Sequence, residues 1–409
     1  MVTYRKKLHL WPGWLQAAGT RRRRVSYAPD IHLCLMSDQA TPNLTPLLEK
    51  GIAPVAVTFV VTPQQKHRLD YFQEVLRPRN IKVEMLELDS AYDHDAMTAL
   101  LDGWLAVQKK AGKSVWFNLT GGTKPMSIAA HLVAFNADIP AFYISDNRLL
   151  WMNAKPVSDD MLPAELASKL SFVTFLTAHG IKVEGTQSID SPVPWRELIR
   201  ELCRLHSTYH KVIPFLNRLA AMAKPGLTAR IDAVLTVDHE QLLKVFEQAG
   251  LLSWTRESVT FPDEDARFFC NGGWLEHHLM QTVRSSGAVQ DMAMSMEVSY
   301  VRPKVRKTVK NEIDVAVLAN NTLHLIECKT KRFGGNAQDP DSDLSSALYK
   351  LATLRKELGG LRCKAMLVSY GPVEEFQKER ARVLDIELCQ GDDMMRLDEK
   401  LKSWIWPSR

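Results

Sequence analysis

The chain has 409 residues, of which 45% are hydrophobic and 24% charged, and its formal net charge at pH 7 is +5. These values lie near the globular average, so they exclude a disordered or fibrous chain and predict two or three domains. Six scattered cysteines without CxxC spacing argue against disulfides and cysteine-rich zinc sites, and they point to a reducing cytoplasm, while no apolar run reaches the ~20 residues that span a bilayer.

Residues 1–28 contain arginines and tryptophans but no secretory apolar core, and we expect them to form a flexible extension. Strand and helix patterns then alternate as far as residue 145, which is typical of a parallel, doubly wound α/β sheet. The predicted strands are 31–37, 55–62, 81–88, 114–120 and 139–145, and the predicted helices are 41–51, 65–76, 95–111 and 125–136.

Two loops of this unit have the chemistry and the position of a ligand site. One is the segment 37–43 after the first strand, and the other is TGGTKPMS, 120–127, after the fourth. Such sheets bind ligands beyond the carboxyl ends of their strands. Gly121 and Gly122 permit close backbone approach, Lys124 adds charge, and the following helix N-terminus favours anions.

The spacing of the glycine loop narrows what it can bind. It fits neither GxxxxGK[ST] nor GxGxxG, so we expect it to bind phosphate without hydrolysing a nucleoside triphosphate. A tight strand-to-helix turn with no ligand is the alternative.

Residues 161–265 have helical periodicity, and a helix stopped by Gly250 precedes two short strands. This helix and hairpin resemble part of a winged helix. A connecting domain with no direct nucleic-acid contact is at least as consistent with the pattern.

Residues 266–409 predict a second α/β unit with a mixed sheet. Its predicted helices are 272–283 and 344–360, and its predicted strands are 296–302, the hairpin 311–330, and 365–370.

The hairpin 311–330 carries a pattern suited to metal-assisted phosphodiester hydrolysis. The turn signal at 319–322 places Asp314 and Glu327 on adjacent antiparallel strands, and alternation places Lys329 on the same face as Glu327. The two carboxylates would hold Mg²⁺ or Mn²⁺, Lys329 would assist, and Glu276 on the preceding helix could add a carboxylate. Glu312 competes with Asp314 for the metal role, and Asp314 is preferred because it lies deeper in the strand.

Two further groups of residues suit a polyanion. Tyr349, Lys350 and Arg355 share the helix after the hairpin, and we expect them to face nucleic acid. Basic residues also cluster just before the acidic strand, where a solvated hairpin is an equally good interpretation; they are Arg302, Lys304, Arg306, Lys307 and Lys310.

Asp314 followed by Glu327-Cys328-Lys329 resembles the D…(D/E)xK core of the PD-(D/E)XK, or restriction-endonuclease-like, nucleases. Ile313 stands where many members have proline, a frequent departure. The segments NGGWLE (271–276), NEIDVAV (311–317), HLIECKT (324–330) and LYKL…LGG (348–360) resemble one narrower group. These are the ancillary nucleases of type III CRISPR systems, which join an N-terminal CARF sensor to such a nuclease domain. The resemblance covers residues 29–405.

This resemblance implies an α/β fold with a Rossmann-like CARF domain at 29–160, a helical, winged-helix-like connector at 161–265 and a restriction-endonuclease-like domain at 266–409. It implies a cytoplasmic homodimer that binds a cyclic oligoadenylate, the tetra-adenylate above all, and then cleaves DNA and/or RNA with Mg²⁺ or Mn²⁺. The residues that it assigns to activator contacts are Ser37, Asp38, Gln39, Asn43, Thr120, Gly121, Gly122, Thr123, Lys124 and Met126.

Two other functions stay open from the sequence. The chain could be a ligand-responsive nucleic-acid-binding regulator whose nuclease fold is inactive, or its CARF domain could also degrade the cyclic activator.

Overall fold

The structure is a computed structural model, which describes residues 27–153, 156, 162–187, 191–224, 226–287, 289–302, 307–330 and 344–407. The expected extension lies almost wholly outside these residues, as do Lys304 and Arg306 of the basic segment. In the part of the chain that is described, no helix is long and apolar enough to cross a membrane.

The N-terminal domain is the predicted doubly wound sheet. Its strands are β1 (Ile31–Leu35), β2 (Ala56–Val61), β3 (Lys82–Glu87), β4 (Val115–Asn118), β5 (Ala141–Ser145) and β6 (Arg148–Trp151). Its helices are α1 (Thr41–Leu48), α2 (Arg68–Leu76), α3 (His94–Lys110) and α4 (Lys124–Asn136). The sequence interpretation missed β6, a four-residue strand that runs antiparallel to β5 after a tight turn at Asp146 and Asn147, both with positive φ.

The strand order of this sheet is β3-β2-β1-β4-β5-β6, with β1 to β5 parallel. The order reverses between β1 and β4, and open α/β sheets bind ligands at such a reversal. The two loops singled out from the sequence follow β1 and β4, so they lie side by side at this point.

The middle region combines helices with a small sheet. Its elements are α5 (Phe172–Ala178), β7 (Ile181–Gln187), α6 (Val193–Arg204), α7 (His206–Tyr209), α8 (Ile213–Met222), β8 (Thr228–Arg230), α9 (Val237–Gln248), β9 (Ser253–Trp254) and β10 (Ser258–Thr260). The predicted helix and hairpin are α9, β9 and β10, and β8 pairs with β10 to make a three-stranded antiparallel sheet.

The C-terminal domain is built on a six-stranded mixed sheet in the order β15-β14-β13-β12-β11-β7. Its elements are α10 (Glu264–Phe268), α11 (Trp274–Ser286), β11 (Asp291–Arg302), β12 (Lys307–Ala319), β13 (Thr322–Lys329), α12 (Leu344–Leu358), β14 (Cys363–Ser369), α13 (Glu375–Val383), β15 (Glu387–Gln390) and α14 (Leu397–Ile405).

One strand crosses the predicted domain boundary. β7 lies within the range 161–265 that the sequence assigned to the connector, but it pairs antiparallel with β11 at the edge of the C-terminal sheet. Its partner strand lies far along the chain, so local patterning gives no sign of the pairing.

Buried side chains join the three regions. Leu216 and Phe246 of the middle region share a core with Val315 and Ile326 of the C-terminal sheet. Residues of the N-terminal domain share a second core with the same sheet and with α12; they include Leu44, Phe72, Leu325 and Leu348. The β12–β13 hairpin therefore packs against both other regions, which fixes its position in the molecule.

Candidate nuclease centre and ligand-binding loops

The β12–β13 hairpin brings Asp314 and Glu327 side by side. Val315 pairs with Ile326 across the hairpin. Asp314, which precedes Val315, therefore lies opposite Glu327, which follows Ile326 on the neighbouring strand. Asn320 and Asn321 form the two-residue turn with positive φ values of 50° and 54°, the conformation favoured in tight hairpins. Asp314 Oδ2 accepts a hydrogen bond of 2.7 Å from the backbone N–H of Cys328. The predicted hairpin is confirmed, and its turn sets the register of the two carboxylates.

Glu327 is buried between two ammonium groups. Its side chain is only 4% exposed, with Oε1 2.5 Å from Lys329 Nζ and Oε2 3.5 Å from Lys350 Nζ. Burial alone would lower the pKa of Lys329, but the neighbouring carboxylates of Glu327 and Asp314 outweigh it and raise that pKa above its ordinary value. Both lysines therefore offer positive charge where a substrate phosphate would approach.

Glu276 approaches the same centre from α11. A bend at residues 269–273 precedes this helix and places Glu276 in its first turn. Its carboxylate is buried and accepts a 3.0 Å hydrogen bond from Ser295 Oγ. Burial first, and then the negative charge of Asp314, raises the pKa of Glu276 well above its ordinary range.

The pKa of Asp314 is raised by burial and by the neighbouring negative charges. Burial, followed by repulsion from Glu327, raises its pKa to about 7. Exposed Glu312 lies outside the buried part of the strand, which favours Asp314 over it. Buried carboxylates that repel one another are typical of a site that is neutralised by a bound cation.

The donor chemistry fits a hard divalent cation. Carboxylate oxygens are the ligands that Mg²⁺ and Mn²⁺ prefer, and Mg²⁺ usually keeps water and substrate phosphate as its remaining ligands. Within the described ranges, no group of three or more His, Cys, Asp or Glu side chains is arranged to hold a metal. The protein therefore offers two carboxylates, Asp314 and Glu327, with Glu276 behind them.

The glycine loop packs directly against the end of β1. A Cβ at Gly121 would lie 1.9 Å from the backbone oxygen of Leu35, and Gly122 has a φ of +71°. Thr123 caps α4 through its hydroxyl, which accepts from Met126 N–H. Lys124 is exposed and makes no ion pair with another described residue. The loop thus presents an exposed cation at a helix N-terminus, which suits an anion.

Three of the expected activator contacts instead hold this loop in place. Asn43 is buried, donates 2.8 Å to Leu35 O and accepts 3.2 Å from Asn118 Nδ2, so its amide is used inside the protein. The side chain of Met126 is buried in the core of the domain. The Thr120 hydroxyl donates to Asn118 Oδ1 and accepts from Ile144 N–H. The side chains of Asn43 and Met126 are buried, so any contact that these two residues make with an activator would be through their backbone.

The loop after β1 also faces the C-terminal domain. Asp38 is exposed and pairs with Arg68 at 2.8 Å, and the Ser37 hydroxyl donates to Gln39 O. Gln39 lies against Gly360, just beyond α12: a Cβ at Gly360 would be 2.2 Å from Gln39 Nε2. A cleft of about 1040 Å³ opens here, lined by Asp38 and Gln39 from one domain and by α12 from the other.

The three residues expected to contact nucleic acid point to different places. Lys350 reaches Glu327, so it belongs to the carboxylate centre. Tyr349 lines the cleft and stacks on Arg380, while Arg355 is tied to Asp385 by its side chain and donates 2.8 Å to the Asp385 carbonyl. In this structure the Arg355 guanidinium is engaged by Asp385, and its contact with nucleic acid stays a prediction. The sequence could not place Lys350, since the rotation of α12 over the sheet is set by long-range packing.

Two family models match the chain. One describes the Card1 CARF domain and matches residues 31–170, and the other describes the Card1-like endonuclease domain and matches residues 263–407. The chain belongs to the Card1-like family. The chain joins a CARF domain to an endonuclease domain, and the family resemblance and the α/β fold expected from the sequence are confirmed.

Solved structures share the fold of this chain. Protein VC1899 from Vibrio cholerae is 26% identical, with a TM-score of 0.80, covering 92% of this chain and 97% of that one. Can2 from Sulfobacillus thermosulfidooxidans in complex with cyclic tetra-adenylate is 24% identical, with a TM-score of 0.73 and the same coverage. A type III CRISPR defence DNA nuclease activated by cyclic oligoadenylate is 20% identical, with a TM-score of 0.51, covering 84% of this chain and 45% of that one. No curated protein matches the chain.

Proposed function

We propose that this Card1-like protein is a metal-dependent nuclease of type III CRISPR defence that cleaves DNA and/or RNA after binding a cyclic oligoadenylate. One observation carries the proposal: Asp314, Glu327 and Lys329 converge at the end of one hairpin. In a protein whose sole role was to bind ligand, burying the Asp314 and Glu327 carboxylates together would destabilise the fold and serve no function.

The residues divide the chemistry between them. Asp314 and Glu327 bind Mg²⁺ or Mn²⁺, which when bound polarises the phosphate and lowers the pKa of a water molecule. Lys329 stabilises the negative charge that develops on the phosphate. Lys350 orients the Glu327 carboxylate, and Glu276 contributes to the charge balance from α11.

The activator site is formed by the loops after β1 and β4. Lys124, the backbone N–H groups near Gly121 and Gly122, and the start of α4 suit the phosphates of the ring, while Ser37, Asp38 and Gln39 line its edge. The complex of Can2 with cyclic tetra-adenylate favours that ring size here. Since Gln39 lies against Gly360 and α12 carries Lys350, a shift of the first loop on binding can reach Glu327 through one rigid helix.

The first prediction concerns activity itself. Purified protein is incubated in Mn²⁺ with plasmid and with single-stranded RNA, with and without cyclic tetra-adenylate. We expect cleavage that depends on both the metal and the activator. Equal cleavage without activator would rule out the switch. If a Glu327→Gln variant binds nucleic acid and wild type cuts nothing, the regulator with an inactive nuclease fold is the better description.

The second prediction concerns the homodimer. Exposed apolar side chains cover the outer face of α4 and the adjoining face of β5 and β6, and His131 of α4 contacts Met152 O at 3.4 Å, which joins the two parts. They are Ile128, Leu132, Phe135, Tyr143, Leu150 and Met152. A patch of this kind marks an interface, and α4 begins at the activator loop, so a second copy would complete a two-fold ligand site.

Phe135→Glu should therefore convert dimer to monomer in light scattering at micromolar concentration and weaken activator binding as well. Val237→Glu is the matched control, because Val237 is exposed on α9 away from this patch and should leave the mass unchanged. A Phe135→Glu protein that keeps the dimer mass would place the interface elsewhere.

A further inference from the structure

Thr330 occupies a junction behind the nuclease centre. It follows Lys329 directly at the end of β13, and it is buried. Its hydroxyl accepts a 2.8 Å hydrogen bond from Asn217 Nδ2. On the adjacent residue, Lys329 O accepts a 2.8 Å bond from Tyr370 N–H, so the strand exit is held on both sides.

The same hydroxyl packs against the bend that precedes α11. Gly272 has a φ of +107°, and a Cβ there would lie 2.4 Å from Thr330 Oγ1. Only glycine therefore permits both the backbone conformation and the close approach. Glu276 lies in the first turn of the helix after this bend, and Glu327 and Lys329 lie at the end of the strand before Thr330. The contact therefore joins the start of α11 to the end of β13.

Asn217 comes from the middle region, outside both matched domains. It lies on α8 with 1% of its surface exposed, among the buried Ile213, Leu216 and Ala220. Its Oδ1 has no hydrogen-bond partner among the described residues. A buried amide that is half satisfied is less favourable for stability than leucine in the same place. A contribution to folding stability therefore does not explain why asparagine occupies position 217.

We propose that Asn217 is a positioning residue of the nuclease centre, acting through Thr330. The amide holds the Thr330 hydroxyl against Gly272, and this fixes Glu276 and the Glu327–Lys329 pair in the spacing that the metal and phosphate require. The proposal rests on the proposed nuclease function. It gives the middle region, which contains Asn217, a part in catalysis. The effect can be large, because misplacement of a reacting group by ~1 Å can lower a rate by ~10²-fold.

The test compares substitutions that change the hydrogen bond with one that keeps it. Thr330→Val removes the hydroxyl at nearly constant shape, Thr330→Ser keeps it, and Asn217→Leu removes the donor. We expect Thr330→Val and Asn217→Leu to lower kcat about 10- to 100-fold and to raise the Mn²⁺ concentration for half-maximal rate. Thr330→Ser should recover most of the rate. The double variant should be no slower than the slower single variant, since both remove one contact.

Controls separate positioning from folding. Thr58→Val removes a buried hydroxyl from β2 of the N-terminal domain, away from the nuclease centre. It should leave kcat and the Mn²⁺ requirement unchanged. Asn217→Leu should keep or raise the melting temperature, because it removes an unpaired buried amide oxygen. Cyclic tetra-adenylate affinity should stay at the wild-type value in every variant, since the ligand loops are in another domain.

Two results would overturn the inference: Thr330→Val cutting like wild type at all Mn²⁺ concentrations, or Thr330→Ser losing as much rate as Thr330→Val. If wild type cuts no substrate, the proposed function fails, but this inference is still decided by the Mn²⁺ concentration at which melting temperature rises. That concentration should be higher for Thr330→Val than for Thr330→Ser, and equal concentrations would contradict it.

Discussion

Asp314→Asn is expected to lower activator-dependent cleavage at least ~10³-fold, about 4 kcal/mol of transition-state stabilisation. The substitution keeps the shape of the side chain but removes a negative charge that is proposed to hold the metal. An amide is a weak ligand for Mg²⁺ or Mn²⁺ when one of two carboxylates is lost. Activator affinity should not change, because Asp314 lies outside the domain that carries the ligand loops.

The same variant should be more stable than wild type when metal is absent. The folded pKa of Asp314 is about 7, against an ordinary value of 3.8, because of burial and the nearby Glu327. The unfolded chain loses this proton first, so the metal-free protein loses stability as pH rises from about 4 to about 7 and stays less stable above that. Asp314→Asn removes this penalty, so its advantage should be smaller at pH 5 than at pH 8, where it should reach about 2–4 °C or more in melting temperature.

Melting curves in a chelator at pH 5 and pH 8, repeated with Mn²⁺, measure both effects. Wild type should gain stability on adding Mn²⁺ at pH 8, and Asp314→Asn should gain little. Glu312→Gln is the matched control, since Glu312 is an exposed carboxylate two residues away on the same strand. Cleavage by Asp314→Asn at the wild-type rate would remove Asp314 from the centre, and Glu312 would then be tested in its place.

Local patterning predicted the parts of this centre that one hairpin determines. The two asparagines at 320 and 321 and the alternation of β13 were enough to place Asp314 beside Glu327 and Lys329. The proximity of Lys350 depended on how α12 packs over the sheet, and Asn217 on how α8 packs behind the strand exit. A single sequence predicts neither packing arrangement. The amphipathic pattern of α8 and α12 shows which face of each helix is buried, but not which residues of the sheet that face contacts.

The sequence also predicted the two ligand loops only in part. The glycine pair and the position after β4 were readable because a close backbone approach demands glycine. The sequence did not reveal that Asn43 turns inward to bridge Leu35 and Asn118. Polar residues that support a loop and polar residues that contact its ligand have the same composition, and only burial separates them.

Gly121→Ala is expected to lower the response to activator at concentrations that just saturate wild type. Its new Cβ would lie 1.9 Å from Leu35 O and 3.0 Å from the Leu35 carbonyl carbon. Both atoms are backbone at the end of the central strand β1, so they cannot yield as a side chain would. The loop after β4 must therefore move away from the loop after β1, which separates the two halves of the proposed ligand site.

We expect the dissociation constant of cyclic tetra-adenylate, measured by calorimetry, to rise at least ~10-fold, equivalent to about 1.4 kcal/mol. Gly103→Ala is the matched control. Gly103 lies within α3, and a Cβ added there would meet nothing within 4 Å, so alanine should leave affinity unchanged and stabilise the helix by up to ~1 kcal/mol.

Lys124→Ala provides an independent arm, because Lys124 is exposed and its loss cannot disturb the core. It should weaken activator binding by removing one charge-assisted contact to the ligand. In all three variants Mn²⁺ should still raise the melting temperature, since Asp314 and Glu327 are untouched. Unchanged affinity in both Gly121→Ala and Lys124→Ala would show that the activator binds elsewhere, whereas a lost Mn²⁺ response would show that the loop had damaged the whole fold.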